Sequence, residues 1–128
     1  MDADTDRLVE RRYSVVDDPN RIVIVTIGTP RLDPDPTGDW MCSFTADTTR
    51  GESHGVDSLQ ALQTAIEGVR AALDSLGLSP KLVWVGGEPG VTGIPRSVPF
   101  ALGRAFAEKI ERHIDQEVEA FTEAALRR

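Results

Sequence analysis

Between Asp57 and Pro80 the chain carries its most restrictive pattern. Leu59, Leu62, Ile66, Val69, Leu73 and Leu76 recur at spacings of three and four, which puts them in one stripe down a helix. Asp57 stands where an N-cap belongs, and Gln60 completes a capping-box pattern. Gly77 followed by Leu78 fits a Schellman stop, and Pro80 forbids continuation. A helix with one apolar stripe must lay it against another layer, and the flanking segments read as strands that could supply one.

Arg7–Val16 places Val9, Tyr13 and Val15 on one side, with Arg11 interrupting that row. Arg21–Gly28 is apolar on both faces through Ile22, Val23, Ile24, Val25 and Ile27, which predicts the most central strand. The turn cluster Asp17–Asn20 between them predicts an antiparallel hairpin. Thr29–Asp39 contains three prolines and a glycine and reads as a loop without regular structure. Trp40–Thr48 alternates again, with Trp40, Cys42, Phe44 and Ala46 on the buried side. Lys81–Gly86 reads as a short fourth strand, apolar on both faces, and Gly86–Pro95 as a loop. A second helix is expected from Pro99 to Arg127, with Leu102, Phe106, Ile110 and Ile114 as its core face and Phe121 and Leu126 extending it. At 1.5 Å per residue it would run about 43 Å, more than a core of this size covers.

The order β-β-β-α-β-α predicts an α+β, two-layer sandwich: a mostly antiparallel four-stranded sheet with two helices on one face. A single domain over residues 1–128 is expected, with 1–6 as a flexible tail and 113–128 as an overhanging helix end. Strands two and four, apolar on both faces, leave a sheet face for loops, a second copy or another protein to close.

With 128 residues, 40% hydrophobic and 27% charged, the composition suits one globular core. A net charge of −7 argues against nucleic acid as a partner. No apolar run approaches the roughly 18 residues of a membrane span, and the polar N-terminus shows no secretory signal. The single cysteine precludes an internal disulfide and suits a reducing cytosol, so a cytoplasmic location is expected. Two histidines and that cysteine are little material for a closed zinc site, so no metal and no cofactor are expected.

Asp33–Asp39 matches the first half of a calcium loop, but its twelfth position is Phe44 instead of a bidentate glutamate, and it reads as an acidic hairpin loop. Gly86–Gly93 stands between a strand and a helix yet lacks the residues of either phosphate-loop motif. Arg96 beyond it could hold a carboxylate or phosphate, so Trp84, Arg96 and His54 are the residues of a small-ligand or enzymatic alternative. His54 with Asp57 could do acid–base work beside Ser43 or Ser53, although no G-x-S-x-G frame surrounds either serine. His113 reads as the edge of an apolar face, and Cys42, between aromatics on its strand, as core.

Glu111, Asp115, Glu119 and Glu123 recur every fourth residue along the last helix. Each successive like-charge contact costs about 0.2–0.5 kcal/mol at low salt, so the ridge suggests a basic protein partner. The expectation is therefore a small, non-enzymatic interaction protein that self-associates as a homodimer or docks a partner, an inhibitor- or immunity-type role being one version.

The stretch Gly55–Arg70, GVDSLQALQTAIEGVR, resembles a family of small uncharacterised bacterial proteins of unknown function. The likeness extends to Asp39-Trp40 with Cys42, to Gly93–Pro99 (GIPRSVP) and to the acidic C-terminal helix, covering Arg7 to Glu117. It implies a bacterial origin and an α+β domain, and brings no activity or catalytic residues with it.

Overall fold

A computed structural model describes residues 6–34 and 39–127 and divides the chain into two compact units, one ending at Pro95 and one beginning at Arg96. The first holds strands β1 (Arg7–Val15), β2 (Asp18–Gly28), β3 (Arg31–Leu32), β4 (Trp40–Ala46), β5 (Thr49–Gly55) and β6 (Leu82–Val83), with helix α1 (Ser58–Ser75) between β5 and β6. Every pairing is antiparallel: β1 with β2 and β6, and β4 with β2, β3 and β5. β2 and β3 lie along the same edge of β4. Val25, Thr26 and Ile27 face Ala46, Thr45 and Phe44, whereas Arg31 and Leu32 face Met41 and Trp40, a slip of one residue across the segment holding Pro30. A proline has no N–H to give the ladder, so the strand is interrupted there and resumes.

The fold is thus α+β, with six strands among the described residues in place of the expected four. The loop expected over Thr29–Asp39 contains the two-residue β3, and Thr49–Gly55, which carries no alternating apolar pattern, is a full strand. Lys81–Gly86 contributes only Leu82 and Val83, because Val85 (φ 53°) and Gly86 (φ 68°) turn the chain out of extended geometry. The hairpin across the Asp17 turn and the interior position of β2 agree with the sequence reading.

α1 lies over β5 and β4 and reaches β2. Its N-cap is Asp57, whose carboxylate accepts from the Gln60 N–H at 2.7 Å, while the Gln60 side chain accepts from the Val56 N–H at 2.7 Å. The Schellman stop forms as expected: Leu78 N–H donates to Leu73 O and Gly77 N–H to Asp74 O, both at 3.0 Å, with Gly77 at φ 69°. The core between helix and sheet is built on Tyr13, Val23, Cys42, Val69, Leu73 and Leu82, all fully buried.

The second unit comprises a single 3-10 turn, Phe100–Leu102, and helix α2, Arg104–Leu126. The helix expected from Pro99 is broken by Gly103 at φ 89°, so Leu102 falls outside α2. From Arg104 the helix runs unbroken through Ala120, and none of its residues is buried. Among the described residues no helix is long and apolar enough to cross a membrane.

Candidate functional site

The two faces of the sheet differ because side chains alternate along each strand. Tyr13, Val23, Val25, Cys42, Ala46 and Ser53 point to the α1 side and are buried. The opposite face is open. Across it the register lines up Glu10 with Thr26, Thr26 with Thr45, and Thr45 with Arg50, a row spanning four strands and about 14 Å at the usual spacing. The two central strands carry short groups here, Thr26 and Gly28 on β2 with Ser43 and Thr45 on β4. The flanking strands carry long ones, Arg7 and Arg12 on β1 with Arg50 and Glu52 on β5. Short groups between long ones make a groove of about 630 Å³, adjoined by a second of about 460 Å³; Arg7, Thr26, Thr45 and Arg50 line both. The face expected to be apolar is therefore polar: of β2's outward isoleucines, Ile22 is half exposed and Ile24 lines the smaller groove.

Each carboxylate along this face is engaged. Asp6 and Glu52 pair with Arg31 at 3.1 and 3.3 Å, Glu10 with Arg7 and Arg12 at 3.1 and 3.5 Å, and Asp47 with Arg21 at 2.8 Å. The Arg50 guanidinium has no ion pair or hydrogen bond among the described residues. The Thr26 and Thr45 hydroxyls lie 2.6 Å apart. One proton makes that bond, which leaves the other hydroxyl proton free to turn toward the groove.

On the α1 side of β1, the loop after β6 folds back onto the strand. Tyr13 Oη and Arg11 Nη1 both donate to the Thr92 carbonyl, at 2.6 and 3.3 Å, and the Arg11 guanidinium lies 3.8 Å from the Trp84 ring centroid. Gly93 (φ 72°) is held against this stack: a Cβ there would stand 2.8 Å from Arg11 Nη1 and 3.2 Å from the Trp84 ring. Arg11, the interruption in β1's apolar row, is thus matched by a cation–π contact. Burial pushes the Tyr13 phenol above its ordinary value, an effect that Arg11 partly offsets.

Trp84 and His54 stand on opposite faces of the sheet. Trp84 stacks on Arg11 on the α1 side, whereas His54 pairs in register with Met41 on the outer side, its Nε2 3.6 Å from Asp33 Oδ2. Arg96 is an exposed residue opening the second unit. Ser53 is structural: its Oγ lies 2.8 Å from the Ala61 carbonyl and 3.2 Å from that of Cys42, tying β5 to α1 and β4. Cys42 is a buried thiol within 3.3 Å of the Gly28 carbonyl, and burial, then Asp6, raises its pKa against a smaller pull from Arg31. Positions 35–38 of the half calcium loop lie outside the described residues, and its twelfth position, Phe44, packs against the core. Among the described residues no three His, Cys, Asp or Glu side chains gather to hold a metal ion.

Glu111, Asp115, Glu119 and Glu123 lie on α2 and are all exposed. A second stripe on the same helix, Phe106, Ile110, Ile114, Val118 and Phe121, is apolar; Phe121 is 77% exposed and Val118 60%. At 100° per residue the two stripes are centred about 140° apart, so α2 is amphipathic.

The outer groove escaped the sequence reading because its four shared residues come from β1, β2, β4 and β5, and only the strand register brings them together. No curated protein and no solved structure matches the chain. The model of a domain of unknown function, DUF6968, matches residues 9–96, which takes in the sheet from Val9 onward, α1 and the Trp84 loop and stops where the second unit begins. That match covers well over half of the chain, which therefore belongs to the DUF6968 family.

Proposed function

We propose that the chain is a non-enzymatic interaction module that docks a protein partner through α2. One observation carries the reading: a 23-residue amphipathic helix has no buried residue, and its own unit offers only one 3-10 turn to pack on. Apolar stripes of this kind dock into grooves through anchors at helical spacing, here Phe106, Ile110, Ile114 and Phe121. The ridge Glu111–Asp115–Glu119–Glu123 favours a partner groove with a basic rim and disfavours a second copy, which would bring the same charge. Such a module suits a reducing compartment, in which the Cys42 thiol stays free.

The test compares wild type with Ile114→Asp/Phe121→Asp and Asp115→Lys/Glu119→Lys by affinity capture, solution mass at low and high salt, and thermal melting. The expected result is a partner retained by wild type, lost with both variants and weakened by salt, with melting temperature unchanged. A mass of twice the monomer would identify the partner as a second copy. Capture that survives both variants, or a melting temperature that drops with the apolar-to-acid pair, would overturn the reading, since the stripe would then be part of the fold.

A further inference from the structure

We propose that the outer face of the sheet binds an oxyanion, the carboxylate or phosphate of a small ligand, between Arg50 and the Thr26–Thr45 hydroxyl pair. Charge is the first ground. From Arg96 onward six basic and six acidic residues cancel, so the whole net charge of −7 falls on residues 1–95. On this face that excess of acid is absent: Arg7, Arg12, Arg31 and Arg50 line the grooves against Asp6, Glu10, Asp47 and Glu52. The pairings leave Arg50 as the groove guanidinium without a partner among the described residues, and every acid lining the grooves already holds an arginine.

Geometry is the second. Both grooves converge on Arg7, Thr26, Thr45 and Arg50, and the strand register puts Thr45 directly beside Arg50. A guanidinium offers two parallel N–H donors to a planar or tetrahedral oxyanion, and the free threonine proton adds a third from the groove floor. An entering anion therefore meets donors and no unpaired carboxylate. The inference is independent of α2 and of the docking reading.

The experiment titrates the full chain with inorganic phosphate and, separately, with malonate, at ionic strength held constant with chloride, following the Arg50 side-chain and Thr26 and Thr45 backbone N–H resonances. The expected result is saturable shifts at these three positions in at least one arm. Arg50→Gln should weaken binding by about tenfold or more, as loss of a charge-assisted pair does, and Arg70→Gln on α1 should leave it unchanged. Saturation by phosphate alone assigns a phosphate ligand; saturation by malonate alone assigns a carboxylate. Shifts no larger than those from chloride in both arms, or equal binding by Arg50→Gln with native spectra, would overturn the proposal.

Discussion

Tyr13 shows how one side chain fixes a loop. It is 1% exposed, and its hydroxyl donates to the Thr92 carbonyl across 2.6 Å, clamping the Trp84 loop onto β1. The folded phenol titrates above its unfolded value of about 10, with burial as the main cause and Arg11 opposing it. A group whose pKa is raised by folding holds its proton longer in the folded state. Its contribution is thus complete below about pH 10 and is lost as pH climbs through the folded value. Tyr13→Phe should lower stability at neutral pH by about 0.5–1.5 kcal/mol, the usual net worth of one hydrogen bond. The same variant should also flatten the alkaline fall in melting temperature. Because Tyr13 is the sole tyrosine, tyrosinate absorbance reads its titration directly. Identical alkaline slopes in the two proteins would separate the hydroxyl from the alkaline transition.

Among the elements, the seating of α1 on β4 and β5 depends on missing side chains. A Cβ on Gly55 would stand 2.5 Å from the Ala61 N atom, so helix and strand meet backbone to backbone. The Phe44 ring lies between Gly51, its partner across the strands, and Gly68 on the helix: a Cβ at Gly68 would stand 2.5 Å from Phe44 Cζ, and one at Gly51 would overlap the ring. Gly68→Ala would gain up to about 1 kcal/mol of helix propensity. It would also press into a ring already seated against Gly51, and overpacking costs about 1–3 kcal/mol. The expected outcome is net destabilisation, recovered when Phe44→Leu is added; chemical denaturation of the single and double variants measures both. Stabilisation by the single change would mean that the ring swings clear. The same close approach explains what was legible in the sequence. β1 and β4 were readable from alternation, β2 from its run of residues apolar on both faces, and α1 from its stripe and caps. Its buried face was legible only in part: Val69 and Leu73 of the stripe are buried, but Leu59 is 61% exposed, while Ala61 and Ala65 are 0%. Only small residues fit at the first turns, where the backbones nearly touch, so Leu59 is turned off the contact there, while Val69 and Leu73 further along stay in it. β5 alternates Gly51, Ser53 and Gly55 inward with Arg50, Glu52 and His54 outward, a small-in, charged-out pattern to which hydrophobicity is blind. The outer groove inherits that blindness, since half of its polar wall is β5.

Over the whole molecule, two partitions of the chain coincide. The family domain ends at residue 96 and the first compact unit ends at Pro95. Residues 91–99 have no regular structure, and Arg96 within them is exposed and followed by Ser97. Exposed irregular segments between units are where proteases cut first, because a cleavage site must unfold locally to enter the enzyme. The strand arginines are held by ladder hydrogen bonds on a packed sheet, and those of α2 by helical ones. Brief trypsin treatment should therefore sever the chain at Arg96 and leave a persisting fragment that ends there, seen by intact mass, with its β-sheet circular dichroism retained. Cleavage spread evenly along the strands, with no such fragment, would show that the sheet unit does not stand without the rest. A persisting fragment would divide the two proposals physically. The outer groove is built wholly from residues 6–52, so oxyanion binding should remain with the fragment, whereas partner capture should leave with α2.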